Sequence, residues 1–150
     1  MKKILILLIC FIFLLTGCAS KEITKEKNIY IKYIKELKKV NKSTNNIPFD
    51  IEIKLDKLTD ELYMYQFIMD NVKEDIDDVE AIVIHNKKTE DIFPSIGIFD
   101  EKEKLLVDKK PSGIVLVGYI DSKNKDANFK ALIKYKDSNN KKHKVYYVTK

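Results

Sequence analysis

Arginine is absent from this chain: all 28 basic residues are lysine. Bidentate guanidinium forks are the usual tools for gripping phosphate and guanine, so their absence argues against a nucleic-acid partner. Tryptophan is also missing, and there are only four glycines, three prolines, two cysteines and two histidines. Both cysteines, Cys10 and Cys18, lie near the start. Beyond them the chain has no thiol nucleophile, no disulfide and no cysteine metal ligand, so its fold must rest on an apolar core. After Gly17 only Gly97, Gly113 and Gly118 remain, which leaves neither a glycine-rich phosphate loop nor a Gly-x-Ser-x-Gly nucleophile elbow. His85 and His143 form no His-x-x-x-His pair, and zinc needs three or four convergent ligands. Their place at strand ends among lysines predicts exposed or hydrogen-bonded structural residues.

What the chain does have begins at its N-terminus. Lys2 and Lys3 precede an apolar run of 12 residues over 4–15, followed by Leu15-Thr16-Gly17-Cys18. Basic start, short apolar core and small-residue exit make the layout of a secretory signal, and the run falls short of the ~20 residues a bilayer-spanning helix needs. The exit site resembles the lipobox of bacterial lipoproteins: an apolar residue, two small residues, then cysteine. The resemblance covers the signal alone. It implies cleavage between Gly17 and Cys18 and a diacylglyceryl group on the Cys18 thiol, and hence attachment to membrane lipid on the side facing away from the cytoplasm. Two acyl chains suffice for stable anchoring.

Removing 17 residues leaves 133, enough for one domain, with 26 lysines against 23 acids. The net charge of +3 is mild and spread along the sequence. Residues 29–40 read as one helix, with Tyr30, Tyr33, Ile34, Leu37 and Val40 in an apolar stripe and Lys32, Lys35, Glu36, Lys38 and Lys39 elsewhere. That stripe either packs on the domain or lies on an anionic membrane; most such stripes face a core. Residues 18–47 therefore read as a lipidated tether containing this helix, broken by the polar run 41–46.

From Pro48 the period changes to two. Phe49, Ile51, Ile53 and Leu55 alternate with charged residues, residues 62–69 are apolar on both sides, and further strands read at 79–85, 96–99, 113–120, 129–136 and 144–148. Turns rich in Asp, Asn, Ser and Lys fall at 121–126 and 137–142. About seven short strands without intervening helices predict a mainly β domain over 48–150: an antiparallel β-sandwich, preceded by one amphipathic helix, with a small barrel as the alternative. The arrangement resembles an immunoglobulin-like sandwich.

Candidate chemistry is sparse. Asp75, Asp77 and Asp78 offer oxygens of the kind calcium takes, but without the Asp-x-Asp-x-Asp-Gly spacing; a solvated loop is the plainer reading. Ser95 and Ser112 sit beside proline and glycine, which make turns. Tyr63, Tyr65 and Phe67 share one strand face, with Tyr119, Tyr146 and Tyr147 on other strands. Tyrosines suit either a partner surface or a core with wet hydroxyl tips. The sequence thus points to a non-enzymatic surface lipoprotein that needs no cofactor and binds a protein or envelope partner. A small-ligand-binding accessory is the alternative, and a small hydrolase the third.

Overall fold

A computed structural model of the chain describes residues 23–87, 92–108, 113–124 and 126–149. Cys18, the cleavage position at Gly17 and the apolar run 4–15 lie outside the described residues. A helix, α1, spans 23–37. The strands are β1 Asp50–Lys57, β2 Leu62–Asp70, β3 Ile76–His85, β4 Ser95–Ile96, β5 Glu103–Leu105, β6 Ile114–Asp121, β7 Phe129–Lys136 and β8 Lys142–Val148, with a 3₁₀ turn at Ser122–Asn124.

Two antiparallel sheets result: three strands in the order β1-β2-β6, and five in the order β4-β3-β7-β8 with β5 also on β3. The chain leaves the first sheet after β2, returns to it with β6, and then places β7 beside β3. The strands thus cross between two packed sheets, a β-sandwich preceded by a helix. Alternation explains which faces meet. Tyr65, Phe67 and Met69 of β2, Leu116 and Ile120 of β6, Val79, Ala81 and Val83 of β3, and Phe129, Ala131 and Ile133 of β7 fill one core between the sheets.

A second core lies on the other side of the five-stranded sheet. Tyr30, Tyr33 and Leu37 of α1 pack on Ile82, Ile84, Ile98 and Leu132. The molecule is therefore three layers: helix, five-stranded sheet, three-stranded sheet. β3 and β7 bury both faces, which is why their burial patterns run nearly continuous. Among the described residues both cores draw on Ile29 to Tyr147, all of which the chain from residue 19 onward contains.

Several boundaries differ from the sequence expectation. The helix runs over 23–37 instead of 29–40, because its first turns are polar and carry no apolar period. At its end the amides of Lys39 and Val40 bond the carbonyls of Glu36 and Leu37, three residues back, a tightening that closes the helix before Val40. The polar run 41–46, expected to be a break in a tether, is built into the fold. The Thr44 amide donates to the Tyr146 carbonyl (2.8 Å), and the Val148 amide to Ser43 Oγ (2.9 Å), so this segment covers the outer edge of β8.

The strand expected over 96–99 is only Ser95–Ile96. Gly97 (φ 70°) turns the chain away, its amide donating to Asp100 Oδ1 at 2.6 Å, and a side chain there would strike the backbone of Val79 and Glu80. The three-residue β5 was not expected. The β7–β8 turn fell where Asp, Ser and Asn clustered: Asp137 Oδ1 accepts from the amides of Asn139 and Lys141, both at 2.9 Å, with Asn140 left-handed at φ 60°.

Candidate functional site

The residues singled out for metal binding are dispersed by the fold. A bulge in β3 between Asp77 and Glu80 turns successive carboxylates in different directions. Asp75 accepts the Val107 amide at 2.9 Å, Asp77 pairs with Lys104 at 2.9 Å, and Asp78, at φ 54°, pairs with Lys136 at 2.6 Å. Among the described residues no three His, Cys, Asp or Glu side chains converge as metal ligands. His143 Nε2 lies 2.8 Å from Asp137 Oδ2 while its ring stacks on Tyr135 at 5.0 Å, and the His143 bond holds the Asp137 carboxyl below its ordinary range. Ser95 is half-buried in β4, and Ser112 lies outside the described residues.

His85 closes β3 and is buried, 6% exposed. The rings of Tyr65, Phe93 and Phe129 stand edge-on to it at 5.7, 5.2 and 5.9 Å, and the Lys87 amide donates to Nδ1 at 3.3 Å. With Nδ1 accepting, the neutral ring carries its proton on Nε2. Outside this group opens a cleft of about 480 Å³ between the end of α1 and the β3 and β7 termini, with Lys38, Lys87, Lys130, Asn86 and Asn128 around His85 and Phe93. Its walls suit a small anion with an apolar body.

The helix is fastened by a polar network above the second core. Tyr33 Oη donates to Glu80 Oε2 at 2.6 Å and accepts from Lys134 Nζ at 2.6 Å, while Lys102 pairs with Glu80 at 2.6 Å. Lys144 pairs with Glu36 at 2.7 Å, and Tyr146 Oη donates to the same carboxylate. Burial pushes the Tyr33 hydroxyl pKa up, and the bond to Glu80 adds to it. Burial alone would raise the Glu80 and Glu36 carboxyls, but the lysine and tyrosine donors outweigh it and hold both below the usual carboxylate range. Burial lowers the Lys134 ammonium. This network positions the helix; the described residues place no hydroxyl nucleophile beside a free base within it.

The two broad faces differ in character. On the helix side, Lys130, Lys134 and Lys136 of β7 and Lys142 and Lys144 of β8 share the face that α1 covers, and α1 with its closing turn adds Lys25, Lys27, Lys32, Lys35, Lys38 and Lys39, all exposed. Three of the acids there, Glu36, Glu80 and Asp78, already hold Lys144, Lys102 and Lys136. On the opposite side the register puts Asp50, Glu52, Lys54 and Asp56 of β1 beside Leu62, Met64, Gln66 and Ile68 of β2, and then Val115, Val117 and Tyr119 of β6. That face is acidic at one edge and apolar at the other. Val115, Val117 and Tyr119 are 49%, 42% and 46% exposed.

Among the described residues β6 also ends its sheet. The Ser122 amide donates to the Glu61 carbonyl at 2.8 Å. By strand alternation the even-numbered β6 residues then bond β2, while Val115 and Val117 turn their backbone groups toward the open edge. From Ile114 to Ile120 this strand carries neither charge nor proline, whereas β1 is charged at alternate positions and the β8 edge is covered by residues 43–44. The sequence showed this strand as apolar throughout; which alternate set faces out was set by tertiary packing. Tyr119 is the tyrosine that remains on the surface, while Tyr65 and Tyr135 are core residues.

Comparison with known families, curated proteins and solved structures finds no match.

Proposed function

We propose that this protein is a membrane-anchored surface lipoprotein, lipidated on Cys18 and facing away from the cytoplasm, whose sandwich is a non-enzymatic protein-interaction module. The observation that carries the reading is the β6 edge, unpaired among the described residues, with Val115, Val117 and Tyr119 exposed beside it. Natural edge strands are normally blunted by charge, proline or cover, and an apolar one without them is a template for a partner's extended strand. The ligand is accordingly a protein segment with alternating apolar side chains, which would extend the three-stranded sheet. The lysine-only basic residues, the absent catalytic motifs and the use of the helix-side polar groups in docking α1 all support a binding role over turnover.

The test is a gentle in-cell crosslink of the intact lipoprotein followed by mass spectrometry, with Val117→Lys and Cys18→Ala alongside. A recurrent protein partner lost in Val117→Lys supports the module, and loss of labelled acyl chain in Cys18→Ala supports the anchor. A partner retained at full yield in Val117→Lys removes β6 as the surface, and acyl labelling that survives Cys18→Ala removes the anchor. The cleft beside His85 favours a second reading, a small-ligand-binding accessory. Binding only the native state would raise its stability, so a thermal shift with small anionic organic compounds, lost in Lys130→Met, distinguishes it.

A further inference from the structure

We infer that the outward ridge of α1 is a docking surface for an anionic lipid bilayer, so that the domain lies helix-side down with its β6 face pointing away from the membrane. The inference deepens the reading above and rests on the anchor at Cys18 for the nearness of a membrane. Three observations carry it.

First, the apolar stripe of α1 is consumed by the sheet. Tyr30, Tyr33 and Leu37 are buried in the second core, so the helix cannot insert that stripe among lipid tails. Whatever meets its other side meets it by charge. Second, that side is of one sign. At 100° per residue Lys32 and Lys35 fall on the side opposite Tyr30, Tyr33 and Leu37, Lys25 lies on its flank, and Lys39 follows in the closing turn; all four are exposed lysines. Thr24, Asn28 and Ile31 are the uncharged residues on the same side. The acids of the segment lie off it, and Glu36 is turned aside to Lys144. Third, the described helix is already formed at residue 23, five positions after Cys18 in sequence, and Tyr30 holds it against Phe93 and Phe99. A lipid on Cys18 therefore holds this end of α1 at headgroup depth. Lysines held there act as the second signal that a lipid anchor gains from an anionic surface. The acidic and apolar three-stranded face lies on the far side of the sandwich, where repulsion from the same surface keeps it in solution.

The test uses the chain from residue 19, which contains every residue of both described cores and no lipid, so that it reads the surface alone. Partition is measured by co-sedimentation with vesicles of phosphatidylcholine, with and without phosphatidylglycerol as roughly one third of the lipid, at low salt. Binding to the anionic vesicles and not to the neutral ones is expected, with loss at high salt as the screening length falls to ~3 Å. Lys25, Lys32, Lys35 and Lys39 changed together to Gln should weaken partition by about tenfold or more, given the per-lysine attraction near a charged surface. The same four changed to Arg should bind as the parent does. A control changing Lys54, Lys57, Lys73 and Lys123 to Gln removes equal charge from other parts of the molecule and should bind within about twofold of the parent, since Lys54 and Lys57 belong to the far sheet and Lys73 and Lys123 to loops joining it.

No partition into anionic vesicles, equal partition into neutral ones, or equal loss in ridge and control variants would each overturn the inference. Retention on a soluble polyanion such as heparin without vesicle binding would overturn it as well, assigning the ridge to a polymer. Acyl labelling at Cys18 is a separate measurement, so an anchor that fails and a surface that fails give different results.

Discussion

Gly118 offers the sharpest test of the packing described above. It lies in β6 directly opposite Tyr65 of β2, and the Tyr65 ring folds across it. A methyl group at position 118 would come within 2.7 Å of Tyr65 Cε1, and closer still to Cζ and Oη. The ring has nowhere to retreat: Tyr65 is fully buried, with Phe129 at 4.9 Å and His85 at 5.7 Å. The backbone at Gly118 is ordinary extended strand, so the cost of Gly118→Ala is steric and not conformational. Overpacking of a rigid core costs about 1–3 kcal/mol, and the lack of relief here puts the expectation at the upper end. Tyr65→Leu alone should cost about 2–4 kcal/mol through the lost ring volume. Because it also removes the clashing atoms, the double variant should be less destabilised than the sum of the two by about 2 kcal/mol. Urea unfolding of the chain from residue 19, followed by circular dichroism, measures all four corners of the cycle. A Gly118→Ala variant within about 0.5 kcal/mol of the parent, or strictly additive effects, would refute the reasoning.

Two further outcomes concern the helix. Leu37→Ala should destabilise the protein by about 2–4 kcal/mol, because Leu37 is fully buried against the sheet, whereas Ile31→Ala on the exposed flank should change it by under about 0.5 kcal/mol; equal effects in urea unfolding would mean that α1 does not dock. Docking should also depend on pH in a determined direction. The carboxyls of Glu36 and Glu80 are held below their ordinary range, so their contribution is present above the unfolded carboxylate pKa of about 4.3 and is lost as pH falls through the lower folded values. Tyr33 and Tyr146 are raised, so theirs is present below about pH 10 and fades above it. Stability measured across pH should flatten on the acid side in Glu36→Gln; an unchanged slope would show that the carboxylate is not coupled to folding.

Period and turn chemistry made much of this architecture legible in the sequence. Strict alternation in residues 49–55 marked a half-buried strand, the apolar positions of 129–136 marked β7, and the Asp-Ser-Asn-Asn cluster marked the β7–β8 turn, because side-chain period and local hydrogen bonding are properties of neighbouring residues. The tyrosine and leucine stripe of α1 was legible for the same reason. The helix start at 23 was not, since polar residues can be helical without leaving a period. β5 was not either, because three residues carry too short a pattern.

The open sites depended on distant partners. Asp75, Asp77 and Asp78 are close in sequence, yet Asp75 caps the Val107 amide just before β3, while at the β3 bulge Asp77 and Asp78 go to Lys104 and Lys136. Lysines that look evenly spread are sorted onto one face, because a strand turns alternate side chains to opposite sides and a helix turns its own by 100° each. Charge sign, strand alternation and the lipobox-like start were thus determined by the sequence alone. Which apolar strand would be left at an edge, which lysines would share a surface and which tyrosine would stay exposed were decided only when two sheets and a helix competed to bury the same apolar area. Burial is a property of the assembled layers, and no local pattern specifies it.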